Sequence, residues 1–183
     1  MADFEREIFE QFKKTTKAQA IEMSLKEHGI KEHLLFLLPS ETGIDFNEML
    51  NLKWSDIGES HLSVSGNDVL KARKILLSSN LKAHLEKYAQ LCTNDVYVLG
   101  KESEPMESRK AFYSVVEVSK KLGFTCYHDI LRRMFGHIHY KEHGTSVKQL
   151  TKWYGFANRE DTLDFIGVID KHLRDIYMKY TGL

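Results

Sequence analysis

The sequence predicts a mainly helical domain with a small three-stranded antiparallel sheet, an α+β architecture. One basis is helical periodicity: apolar residues recur at i, i+3, i+4 and i+7, as at Leu131, Met134, Phe135 and Ile138. The other basis is a set of three short extended runs in the middle of the chain, over residues 54–57, 62–65 and 73–77. The cluster Gly66-Asn67-Asp68 predicts a turn between the last two runs.

Before the sheet, apolar residues on one face predict four helices, over residues 3–14, 16–28, 33–38 and 46–52. Gly29 ends the second helix, because glycine readily adopts the left-handed conformation that closes many helices. The third helix reads HLLFLL, and Pro39 is expected to end it.

After the sheet, the same periodicity predicts five helices, over residues 81–91, 111–122, 128–143, 147–154 and 168–180. A short extended run is expected at 96–99. Gly144 and Gly155 are placed to end two of the helices. Leu163 and Phe165 mark a short apolar turn before the last helix.

The chain of 183 residues is long enough for one domain with its own core, which we expect to span residues 1–183. Lys and Arg together number 26, as do Asp and Glu, and this zero net charge gives little support to nucleic-acid binding. Cys92 and Cys126 follow no pairing pattern and predict reduced thiols in a cytoplasmic protein. No apolar run suits a signal peptide or a membrane span, and no cofactor is expected.

Two blocks of the sequence carry family motifs. Residues 42–57 read TGIDFNEMLNLKWSDI and are similar to the pattern T-G-x-R-x-x-E-L-x-x-L-x-W-x-D-I. Residues 131–135 fit a helix motif H-x-L-R-H-x-F, residues 154–156 fit L-G-H/W, and Phe165 lies ten residues after Gly155, where the pattern has Tyr. The chain thus resembles the catalytic domain of the tyrosine recombinases, the phage integrase family. The resemblance implies that fold, and we expect the family's additional N-terminal DNA-clamping domain to be absent.

The resemblance also implies a DNA-cleaving site, in which a Tyr oxygen attacks a phosphodiester while two arginines, a His or Trp, a Lys and a further His assist. Only the second arginine is kept among the six corresponding positions, which are Asp45, Asp68, Asp129, Arg132, Phe156 and Phe165. Phe165 has no hydroxyl and cannot form a phosphotyrosyl intermediate. We therefore predict a pseudoenzyme. Tyr154, Tyr177 or Tyr180 could replace the nucleophile only if the other catalytic partners were replaced as well.

Arg132 needs a partner if it is buried without a phosphate, because an uncompensated buried charge is costly. We expect an ion pair between Arg132 and either Asp45 or Asp129, with the carboxylate in the place of the phosphate. The alternative is that Arg132 has a purely structural role.

Eight cations are predicted to contact DNA phosphates, since the resemblance places them on a hairpin and two helices that face DNA: Arg132, Arg133, Lys71, Arg73, Lys74, Lys141, Lys148 and Lys152. They could equally be solvated helix faces and edge-strand charges. His137, His139 and His143 lie close in sequence, but without a cysteine or a well-placed carboxylate they predict no metal site.

Two functions remain open. The first is a non-catalytic protein that binds double-stranded DNA on an inactivated recombinase scaffold, such as a phage or mobile-element repressor. The second is an interaction module that has lost DNA binding and forms homo-oligomers when the helix within residues 166–183 docks onto another copy. The apolar face of that helix consists of Ile169, Leu173, Ile176 and Tyr177. The same face could instead pack on its own core.

Overall fold

A computed structural model describes residues 15–92, 96–101, 103–123, 126 and 128–168, with no side chains described for 15–18. The predicted helix over 3–14 lies outside these residues, as does the apolar face at Ile169, Leu173, Ile176 and Tyr177. No helix within the described part of the chain is long and apolar enough to cross a membrane. Cys92 is half-buried and Cys126 is buried.

From residue 15 onward, three α-helices precede the sheet: α1 (Thr15–His28), α2 (Ile30–Thr42) and α3 (Phe46–Leu50). The prediction that Pro39 ends α2 is wrong, since the helix continues to Thr42 and ends at Gly43, where φ is 65°. A proline inside a helix costs about 3 kcal/mol. Burial of a continuous apolar run ahead of it, which includes the fully buried Leu34, Leu35 and Leu38, outweighs this cost.

The sheet has two strands among the described residues, where the sequence predicted three. Strand β1 (His61–Val64) pairs antiparallel with β2 (Arg73–Leu76). Residues 54–57 were the third predicted strand, but they contain a 3-10 turn, Trp54–Asp56, and meet β1 only through an isolated bridge between Ile57 and Leu62. The cause is local, because the Asp56 carboxylate accepts a hydrogen bond from the backbone N–H of Lys53 at 2.9 Å.

In the described part of the chain after the sheet, which ends at residue 168, there are five further α-helices: α4 (Ser79–Leu91), α5 (Ser108–Lys121), α6 (His128–Lys141), α7 (Val147–Tyr154) and α8 (Arg159–Phe165). The apolar turn predicted at Leu163 and Phe165 is thus the end of a short helix. Helix α2 lies at the centre and packs against α1, α4 and α6. A smaller apolar cluster of Phe135, Leu150, Tyr154 and Ile166 joins α6 to the segment containing α7 and α8.

Candidate nucleic-acid interface

Arg132 lies on α6 and is almost fully buried, with 5 % of its side chain exposed. Its Nε donates a hydrogen bond to the carbonyl of Gly43 at 2.8 Å, and Nη2 donates to the carbonyl of Tyr154 at 3.3 Å. Its Nη1 lies 3.2 Å from Oδ2 of Asp45. The guanidinium therefore connects the start of α3 and the end of α7 to α6.

Three aromatic rings surround the Arg132 guanidinium. The ring centres of Tyr154, Phe156 and Phe165 lie 5.1, 5.2 and 5.1 Å from its Cζ, within the range of cation–π attraction. Neighbouring ring centres among these three lie 5.3 Å apart. Burial lowers the pKa of Arg132, and the charge of Asp45 opposes that shift. Because an arginine remains protonated in proteins, the rings and Asp45 enclose a permanent cation.

Asp45 has two roles. Its side chain caps α3 by accepting a hydrogen bond from the N–H of Asn47 at 3.0 Å, and the Glu48 carboxylate accepts one from the N–H of Asp45 at 3.1 Å. This reciprocal pair is a capping box. The same Asp45 carboxylate is the acidic partner of Arg132, with 21 % of its side chain exposed. The predicted ion pair is confirmed, and Asp45 rather than Asp129 forms it.

A groove of about 700 Å³ lies between the β1–β2 hairpin and α7. Among the described residues, six cationic ones line it and no acidic one does; the six are Lys71, Arg73, Lys74, Lys148, Lys152 and Arg159. The two helices beside the groove begin at capping residues: the Ser146 side chain caps α7, and the Asn158 side chain caps α8. Five of the eight cations predicted to contact DNA thus come together, although the chain as a whole is neutral.

Arg73 differs from the other groove cations because it is already paired. Its two terminal nitrogens lie 2.7 and 2.6 Å from the two carboxylate oxygens of Glu48, and the two side chains are 5 % and 6 % exposed. Its Nε also donates to the carbonyl of Trp153 at 2.5 Å. Arg73 therefore fixes β2 against α3 and α7, and its position does not support the predicted contact with DNA.

Comparison with known sequences and solved structures identifies the fold. No family model matches the chain. The tyrosine recombinase XerA of Pyrococcus furiosus is 28% identical over 153 residues, which cover 80% of this chain and 53% of XerA. A crystal structure of XerA recombinase matches with a TM-score of 0.74 at 18% identity, over 91% of this chain and 62% of that one. This chain has the tyrosine recombinase catalytic-domain fold.

Lambda integrase bound to DNA supports the same assignment, with a TM-score of 0.66 at 18% identity over 84% of this chain and 58% of the integrase chain. The chain spans about half the length of the XerA recombinase of Pyrococcus furiosus that it matches in sequence. The resemblance predicted from the two sequence blocks is therefore confirmed at the level of the fold.

On this recombinase fold, four of the six positions with a catalytic counterpart lie together. Asp45, Phe156 and Phe165 all contact the Arg132 guanidinium. The other two, Asp68 and Asp129, are exposed, in the hairpin turn and the first turn of α6. The motif positions therefore converge as the family resemblance predicts, but the side chains that converge are an acid and two phenylalanines.

The remaining predicted cations lie outside the groove. Arg132 is buried, and the Arg133 guanidinium lies 5.0 Å from the ring centre of Phe165. Lys141 is exposed at the end of α6, with its Nζ 5.6 Å from the ring of Tyr140. Arg159 also lines the groove, but the sequence analysis did not predict it as a DNA contact. Only an apolar turn was expected near Leu163 and Phe165, and a helix that starts after Asn158 was not.

Tyr154 and the histidines are the remaining side chains that the sequence offered as a nucleophile or as metal ligands. Tyr154 is fully buried, its hydroxyl donates to the carbonyl of Arg132 at 2.7 Å, and burial raises its pKa, so it is a core residue. The rings of His139 and His143 lie 5.1 Å apart. Across the described residues, no three or more His, Cys, Asp or Glu side chains form a metal-binding group.

Proposed function

We propose that this protein is a non-catalytic regulator that binds double-stranded DNA on an inactivated tyrosine recombinase scaffold, such as a phage or mobile-element repressor. The observation that carries the proposal is the groove, whose described lining contains exposed cations and no acidic residue in a chain of zero net charge. Backbone phosphates dominate the affinity of proteins for DNA, and lysine and arginine neutralise them. The match to lambda integrase, solved bound to DNA, supports the same partner.

Loss of cleavage is the second part of the proposal. Phe165 offers no phenolic oxygen to attack a phosphodiester, and Asp45 directs a negative charge at the arginine that would steady the phosphate. The Tyr154 hydroxyl is buried and already donates a hydrogen bond, so it is a poor substitute. Incubation with a nicked duplex that traps covalent intermediates should give no protein–DNA adduct on a denaturing gel, whereas XerA on its own site should. An adduct with this protein would refute the pseudoenzyme assignment.

DNA binding itself is tested by fluorescence anisotropy on duplexes from the protein's own genomic neighbourhood, over a salt series. The logarithm of affinity should fall with the logarithm of salt concentration, with a slope near −0.9 for each phosphate neutralised. Lys152→Ala should reduce that slope by about one and weaken binding to every duplex. Lys87→Ala is the matched control, because Lys87 is exposed on α4 and does not line the groove.

The outcomes separate the proposal from its alternative. Salt-sensitive binding that Lys152→Ala weakens and Lys87→Ala does not would support a DNA-binding groove. Failure to bind any duplex at low salt would refute it. A molar mass that rises with protein concentration, measured by light scattering, would then favour the interaction module.

A further inference from the structure

The groove walls are fixed relative to each other before any ligand arrives. The N–H of Lys71 donates to the carbonyl of Gly155 at 2.9 Å, and Arg73 joins the hairpin to both α7 and Glu48. Gly155 has a φ of 75°, and a Cβ placed there would lie 2.9 Å from the carbonyl oxygen of Lys71. Side chains on α7 and on the hairpin are therefore presented in one arrangement, as recognition of a repeating double helix requires.

Helix α7 divides its residues between core and groove. Leu150 and Tyr154 are fully buried, whereas Lys148, Gln149 and Lys152 are exposed. An exposed helical face of this kind fits the major groove of DNA, where base pairs present distinct patterns of donors and acceptors. Lysine contacts to phosphate fix position but carry no direct sequence information. A lysine or arginine that contacts a base edge selects guanine, so reading of adenine must come from a neutral side chain of the groove.

Among the described residues that line the groove, the neutral side chains with both a hydrogen-bond donor and an acceptor are Gln149, Thr151 and Asn158. Thr151 Oγ1 donates to the carbonyl of Val147 at 2.8 Å and bonds Thr162 Oγ1 at 2.8 Å. Asn158 accepts from the N–H of Asp161 at 2.8 Å and donates to its carboxylate at 2.7 Å. These two side chains are occupied by the protein itself.

The side-chain amide of Gln149 makes no hydrogen bond to any described residue, and it shares the exposed face of α7 with Lys148 and Lys152. A primary amide carries both a donor and an acceptor, which match N6 and N7 of adenine in the major groove. Resting on the proposed DNA binding, we propose that Gln149 is the specificity-determining residue of the groove and selects adenine at one position of the DNA site.

The test is selection from randomised duplexes, followed by anisotropy on the selected site and on single-base variants. The wild-type protein should favour adenine at one position by about tenfold. Gln149→Ala should remove that preference, leave other positions unchanged and leave the salt slope unchanged, because no phosphate contact is lost. Gln149→Glu should move the preference to cytosine, since a carboxylate accepts a hydrogen bond from cytosine N4.

Lys152→Ala serves as the comparison variant, because it should weaken all sequences alike and keep the adenine preference. Gln149 is exposed, so its variants should unfold at the wild-type temperature in circular dichroism. An unaltered preference profile in Gln149→Ala would overturn the assignment. Binding without any base preference would overturn it as well, but would leave the proposed DNA binding intact. Absence of duplex binding would refute both.

Discussion

Asp45→Asn separates the two roles of the Asp45 side chain. Asparagine caps a helix as well as aspartate does, and its amide oxygen can still accept from the N–H of Asn47. The negative charge that lies 3.2 Å from Nη1 of Arg132 is lost. Arg132 keeps its hydrogen bonds to the carbonyls of Gly43 and Tyr154. The variant therefore tests the ion pair alone.

Removal of one partner from a fully buried ion pair costs about 3–5 kcal/mol. The pair formed by Asp45 and Arg132 is less extreme, because 21 % of the Asp45 side chain is exposed and water screens it. Two carbonyls and three aromatic faces also continue to stabilise the cation. We therefore expect Asp45→Asn to lower the free energy of unfolding by about 1–2 kcal/mol, or the melting temperature by about 4 °C.

Urea unfolding followed by circular dichroism measures this loss, with Asp45→Ala as the companion variant. Alanine removes the cap as well as the charge, so it should cost about 1 kcal/mol more than asparagine. Wild-type stability in Asp45→Asn would refute the reasoning, because Arg132 would then not depend on the charge of Asp45. Equal losses in the two variants would show instead that the cap contributes nothing.

Three further predictions concern His128, the Arg73 pair and Gly155. Burial lowers the pKa of His128 to about 4, so the fold is most stable above pH 6.5, where His128 is neutral, and loses stability as the pH falls toward 4. In His128→Phe this loss of unfolding free energy, measured by urea titration at each pH, should be smaller by about 2–3 kcal/mol. Glu48→Gln leaves the buried Arg73 charge uncompensated and should cost about 3–5 kcal/mol by the same measurement, more than Asp45→Asn; a smaller cost would contradict the burial argument. Gly155→Ala forces alanine into a left-handed conformation with its Cβ against Lys71, so it should lower the free energy of unfolding by about 1–3 kcal/mol and weaken the proposed DNA binding in anisotropy. Unchanged stability and affinity would show that the hairpin can move away.

The sequence predicted the Arg132 site well because two long motifs fix the positions that meet there. Because a buried arginine requires an acidic partner, Asp45 and Asp129 remained as alternatives. The three-dimensional structure was needed to decide between them. The pairing of Arg73 with Glu48 was missed. These residues are 25 positions apart, and nothing in the local pattern indicates which acid meets which base.

Two errors in the fold prediction have different physical causes. Pro39 and residues 54–57 were interpreted from local preference alone. In α2, burial of neighbouring leucines outweighs the effect of the proline, and at residues 54–57 a hydrogen bond between the Asp56 side chain and the backbone replaces a strand with a turn. Local preference fails at such points because packing and side-chain contacts contribute energies of similar size.

The enclosed Arg132 cation also determines how the site would respond to the side chains that the recombinase motif has at these positions. Phe165→Tyr adds one oxygen to a ring 5.1 Å from the guanidinium carbon and leaves the ion pair in place. Asp45→Arg, made first, would place a second cation where the carboxylate now lies 3.2 Å from Arg132, without a phosphate to separate the two charges. The two substitutions therefore differ in their effect on the ion pair: Phe165→Tyr keeps it, whereas Asp45→Arg replaces it with two like charges.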